Sequence, residues 1–189
     1  DTISLFEHTL AVTRENAVAH RHLGVALVEQ GQREAGAWHL AEAQRIDRDA
    51  DAAHYARVLR TDPTSTEAHV RLGIALAAAA DTAGAVNHYR EALRLDPDLA
   101  AAHNNLAIAL ETLGKRDEAI EHYAAGVRLE PQRAESRCNL AAALASAGRP
   151  AEAVAQFRAA LELKPQLVEA RFGLATALAV SGDTPAAVS

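Results

Sequence analysis

The chain repeats itself every 34 residues, and that period decides most of what it can fold into. The stretches at 66–99, 100–133 and 134–167 follow one another without a gap. An earlier copy spans 17–50, and a truncated one runs from 168 to 189. A unit of this length buries little alone, so successive copies must stack and share a core. Inside each copy the apolar residues recur at helical rather than strand spacing. Leu23, Leu72, Leu106, Leu140 and Leu174 are each followed four residues later by a second leucine, at 27, 76, 110, 144 and 178. Between them sits a small residue: Gly24, Gly73, Ala107, Ala141 or Ala175. A bulky side chain there would hold paired helices apart.

A turn is marked by Gly31, Gly114, Gly148 and Gly182, where glycine admits the positive φ that ends a helix. A second helix then places a small residue (Gly36, Ala85, Ala119, Ala153) four before a large one (Leu40, Tyr89, Tyr123, Phe157). Three residues further comes another small one: Ala43, Ala92, Gly126 or Ala160. Pro63, Pro97, Pro131 and Pro165 stop the second helices, while Pro150 and Pro185 fall at helix starts, where a missing N–H costs least. With 49% hydrophobic but only 4% aromatic residues, the core is built from alanine and aliphatics, which suits closely packed helices.

This grammar resembles the tetratricopeptide repeat (TPR) family over nearly the whole chain. The Leu-Gly pair, both alanines, the aromatic and the proline recur at the family's offsets. The resemblance implies an all-α fold, a right-handed solenoid of helix-turn-helix repeats, with first helices lining a concave groove that holds protein or peptide. The family's first-helix tryptophan is replaced by His20, His69, His103, Arg137 and Arg171, and its tyrosine by leucine.

The register slips once. Residues 51–65 match a second helix with no first helix before it, and the next copy starts 19 residues early. Two arrangements fit: one long helix over about 33–61, or two helices with a break near 47–51. The second is preferred, leaving 51–65 as an unpaired helix within one solenoid domain over 1–189. Residues 1–16 read as a lone second helix with Ile3, Phe6, Leu10 and Val12 as its stripe. Both ends therefore expose surfaces that suit pairing with another copy of the chain.

The resemblance places Arg21, His22 and Val25 on the groove, then Val70, Arg71 and Ile74, and then Asn104, Asn105 and Ile108. Cys138, Asn139 and Ala142 follow, and last Phe172, Gly173 and Thr176. The candidate peptide-binding residues are Arg21, His22, Arg71, Asn104, Asn105 and Asn139. Asn105 and Asn139 occupy equivalent sites, and a side-chain amide both donates to and accepts from a peptide backbone. They resemble part of the asparagine ladder of O-linked N-acetylglucosamine transferases. The lysine and asparagine set of a chaperone-tail carboxylate clamp is missing, although Arg21 and Arg71 suit an acidic group.

No phosphate loop, His-Glu-x-x-His or Gly-x-Ser-x-Gly elbow occurs, so neither catalysis nor a cofactor is expected. The nine histidines follow the repeat, with His39, His54, His88 and His122 sharing a second position. They are expected to fill half-buried aromatic slots rather than bind metal. His20 and His22, two apart on a helix, point to different sides. A net charge of −6 argues against nucleic acid, and no apolar run reaches the ~18 residues of a membrane span. The single Cys138 excludes an internal disulfide. The absence of methionine, even at position 1, leads us to expect a piece of a longer chain. The segment from Ser4 to Gly31 looks like the junction after the last membrane helix of glycosyltransferase-like membrane proteins with TPR tails. That resemblance implies a non-catalytic tail of a larger enzyme.

Overall fold

A computed structural model describes residues 2–13 and 15–181; Gly182, Pro185 and the end of the truncated copy lie outside it. Among the described residues there are ten α-helices and no strand. They are α1 (Thr2–Val12), α2 (Ala17–Glu29), α3 (Arg33–Thr61), α4 (Thr66–Ala78) and α5 (Thr82–Leu95). The rest are α6 (Ala100–Thr112), α7 (Arg116–Leu129), α8 (Ala134–Ser146), α9 (Pro150–Leu163) and α10 (Val168–Ser181). Each packs chiefly on its neighbours in sequence, the arrangement of a stacked repeat.

The repeat positions behave as their chemistry requires. In the first-helix turns, the second conserved leucine's carbonyl accepts a bond from five residues on: Leu27 from Gln32, Leu110 from Lys115 and Leu144 from Arg149, at 2.8–2.9 Å. This closure needs a left-handed residue in between. Gly31, Gly114 and Gly148 supply it with φ of 83°, 76° and 74°. The second copy has Ala80 there at φ 63°, yet makes the same Asp81 N to Leu76 O bond at 2.9 Å. A Cβ in that region costs about 1–2 kcal/mol. Ala80→Gly is therefore expected to stabilise the chain by about 0.5–1 kcal/mol after the added unfolded-state freedom is subtracted. A thermal melt reads this as a rise of roughly 2 °C.

The small slots are set by direct contact. A Cβ at Gly73 would lie 2.5 Å from Tyr89 Cε1, and one at Gly173 2.3 Å from Phe157 Cζ. Tyr89, Tyr123 and Phe157 fill the stack at 2–3% exposure. Burial pushes the Tyr89 phenol up to about 12. Burial raises the Tyr123 phenol further, and its donation to the Glu111 carboxylate at 2.7 Å adds to the rise. All four inter-repeat prolines stand two residues beyond a helix end, and Pro150 opens α9.

The break preferred near 47–51 is not there. Residues 33–61 form one helix, about 43 Å long at ~1.5 Å per residue. No glycine or proline interrupts 37–62. Across the expected break Arg45 binds Glu42 at 2.7 Å and Asp49 at 2.8 Å, spacings that brace a helix face. Nor is 51–65 unpaired: the second half of α3 packs on α4, as its first half packs on α2. Arg21, near the start of α2, pairs with Asp47, while Arg48 donates to the Ala78 carbonyl at the end of α4. The helices α2 and α4 thus lie end to end along α3. The second block is therefore shifted along the axis of α3 relative to the first. The contiguous apolar core runs from Ala85 to Leu178, and the buried residues of α2, α3 and α4 lie outside it.

Helix α1 packs on α2, and Ile3, Phe6 and Leu10 of the expected stripe are half-buried. Val12, at the helix end, is 73% exposed and leaves the expected stripe.

Candidate functional site

The displacement divides the expected groove. Arg21 is held by Asp47 at 2.5 Å, and the His22 ring stacks on Phe6 of α1 at 5.1 Å and 10°. Both are engaged within the first block. They do not join the row of α4, α6 and α8, where Arg71, Asn104, Asn105 and Asn139 stand. Of the six expected residues, Asn104 and Asn139 are brought into direct contact, Arg71 and Asn105 stand on α4 and α6, and Arg21 and His22 are engaged within the first block.

On that row the aliphatic residues remain in solvent: Ile74 is 43% and Ile108 46% exposed. Asn104 and Asn105 are half-buried beside them. Asn139 Nδ2 on α8 donates to Asn104 Oδ1 on α6 at 3.2 Å, which orients both amides across adjacent first helices. The pairing is Asn104 with Asn139 rather than the equivalent Asn105 with Asn139. Each member keeps donor and acceptor capacity for a ligand. The Asn105 side chain makes no hydrogen bond among the described residues. Arg71 lies 3.8 Å from Glu67, an exposed pair of little strength, so its guanidinium can turn to a ligand. Between α4 and α6, Thr66, Glu67, Val70, Arg71, Leu99 and Ala101 line a shallow cavity.

Cys138 does not face the groove as expected. It is 8% exposed within the core, and burial, with Glu169 and Glu135 adding, pushes its thiol up. A thiol so placed is protonated and inert. Glu135 is bound to Lys164 at 2.7 Å, which holds its carboxyl below the usual range. At the far end Phe172 is 76% exposed.

The histidines are paired, which the sequence reading missed. His20 and His39, His69 and His88, and His103 and His122 each bring Nδ1 to Nδ1 at 2.9 Å. Each pair ties a first helix to the second helix of the same hairpin. The constant separation of 19 residues was the available signal. His54, at the repeat position of His39, has Tyr55 as its ring neighbour at 5.0 Å instead. No group of three or more metal-ligating side chains forms among the described residues.

Paired helices, each packed on its neighbours in sequence and stacked into a row, define a helical-repeat protein. Residues 81–114 match the model of the TPR repeat, and residues 104–168 and 138–189 that of the tetratricopeptide repeat. Together these span 81–189, more than half of the sequence, and the chain belongs to the tetratricopeptide repeat family. A crystal structure of MamA superposes with a TM-score of 0.72 at 21% identity, covering 79% of this chain and 87% of that one. A second MamA structure gives 0.70 at 20% identity, covering 91% and 86%. YrrB, described as a TPR protein with an unusual peptide-binding site, gives 0.65 at 20% identity, covering 96% and 86%. At these identities the likeness is one of fold. No curated protein matches the sequence.

Proposed function

We propose that the chain is a protein-interaction scaffold that holds an extended peptide along α4, α6 and α8. The observation that carries this reading is the combination of solvent-facing Ile74 and Ile108 with the oriented Asn104–Asn139 amide pair and the uncommitted Asn105. Apolar side chains of a peptide would seat on the isoleucines, and its backbone would meet the amides. Such recognition reads an extended shape with modest dependence on sequence. Arg71, at the α4–α6 cavity, suits a carboxylate at one end of that peptide. YrrB, as a peptide-binding TPR protein, is consistent with this use of the fold. A groove of this kind supplies binding energy rather than a water-excluding reaction centre, and the role proposed is binding without catalysis or cofactor.

The test compares the chain with an Asn105→Ala/Asn139→Ala/Arg71→Ala variant of unchanged helical circular dichroism, on an array of unstructured peptides. Peptides held by the parent should bind the variant at least ten-fold more weakly, as the loss of two or three polar contacts implies. Equal binding by both would reject the groove. Capture of the chain by itself, unaltered in the variant, would instead favour association through exposed ends such as α10.

A further inference from the structure

The three histidine pairs share one geometry, and that geometry limits how many protons each can hold. Their ring centroids lie 5.0, 5.2 and 5.1 Å apart, and their planes meet at 38°, 37° and 38°. His69 Nε2 also meets the Pro63 carbonyl at 3.1 Å, and His103 Nε2 the Pro97 carbonyl at 3.0 Å. A carbonyl only accepts, so these two rings carry hydrogen on Nε2. In the neutral ring Nδ1 is then bare, and it accepts from Nδ1–H of His88 or His122. The remaining Nε2 of His88 or His122 can take one further proton without disturbing that bond. A second proton has only Nδ1 of His69 or His103 to go to. There it would face another N–H at 2.9 Å, with two imidazolium rings side by side. The bond that joins the two helices of the hairpin would be lost.

The fourth hairpin makes the same tie with groups that do not titrate in this range. Arg137 donates from Nε to the Pro131 carbonyl at 3.0 Å and from Nη1 to Gln156 Oε1 at 3.2 Å, again 19 residues away. We propose that the three histidine pairs are a proton-operated latch that loosens the α2/α3, α4/α5 and α6/α7 hairpins in mild acid while α8/α9 stays closed. The proposal stands whether or not the groove holds a peptide.

The direction follows from proton counts. An unfolded chain protonates both imidazoles of a pair near pH 6.5, whereas the folded pair holds one proton and refuses the second. The folded state binds fewer protons in acid, so stability is fully present above about pH 6.5 and declines as the pH falls below it. Burial first, and the partner ring second, hold His39, His88 and His122 below the ordinary imidazole value. The surrounding charges act both ways without reversing this. Glu7 of α1 raises His39, Asp81 at the head of α5 raises His88, and Glu118 and Glu121 of α7 raise His122. Arg90 of α5 lowers His122, and Glu42 and Glu91 feel His20 and His69 but are bound to Arg45 and Arg94.

Segment-resolved hydrogen exchange between pH 7.5 and 5.0, corrected for the intrinsic exchange rate, tests the latch on the chain itself. Protection of α4 through α7 should fall about ten-fold per pH unit below 6.5 for each pair that opens, while α8 and α9 hold theirs. A variant carrying the fourth hairpin's tie, His69→Arg/His88→Gln with His103→Arg/His122→Gln, should keep α4–α7 protected through the same range. An equal fall in all hairpins, or an undiminished fall in that variant, would overturn the latch. Histidine NMR titration of the parent gives a second reading that does not need the variant to fold. Each pair should take up its two protons in separate steps, the second well below the first in pH; six independent single-step titrations would refute the proposal.

Discussion

Ala50→Pro, in the middle of α3, is expected to cost about 3 kcal/mol or more. Ala50 is exposed, so nothing is lost from the core and the whole effect is carried by the backbone. Proline would remove the amide that bonds to the residue 46 carbonyl and would press its ring against that same carbonyl. The consequence reaches beyond one helix, because α3 is what packs on both α2 and α4. A thermal melt followed by circular dichroism should lose its single transition, with the α1–α2 block released below the temperature at which α4–α10 unfold. An unchanged melt would mean that the chain is interrupted near residue 50, as the slipped register first suggested.

The second large effect is in the centre of the stack. Leu106, on α6, is 0% exposed and belongs to the same apolar core as Tyr89, Leu110, Tyr123 and Leu140. Leu106→Ala should cost about 2–5 kcal/mol, the lost transfer energy plus the cavity left behind. The equivalent change at Leu174, half-buried on α10, has neighbours on fewer sides and should cost less. Urea titration of the two variants checks the order. A larger loss at Leu174 would show that stability is concentrated at the end of the stack rather than shared through it.

What could be read from the residues and what could not divide along a physical line. The hairpins were legible because each is decided locally: leucines four apart, a small residue where Tyr89 or Phe157 presses, a turn glycine, a proline two residues past the helix. Ala80 shows the limit, since alanine in a left-handed turn carries no signal beyond its place in the repeat. The continuity of α3 rests on its packing against both α2 and α4, with Arg45 reaching Glu42 and Asp49 as a brace, contacts that hydrophobic patterning does not register. The groove suffered from the same gap. His22 and Arg71 stand at equivalent repeat positions, but equivalence in register became equivalence in space only where the stack is regular. The histidine pairs were legible as positions and not as bonds. A histidine that replaces an aromatic looks the same in sequence whether it packs or donates.

A continuous helix between two blocks also converts length into angle. Each residue along α3 advances the chain by about 1.5 Å and turns it by about 100°. One residue inserted near 47–51 would therefore swing α4–α10 by more than a quarter turn around α1–α2, with almost no change in separation. Two would carry it past the opposite side, whereas four would bring it back to within roughly 40° of its present azimuth. The number of residues in this shaft sets the phase between the halves of the molecule, so changes of whole helical turns are the ones its architecture can absorb.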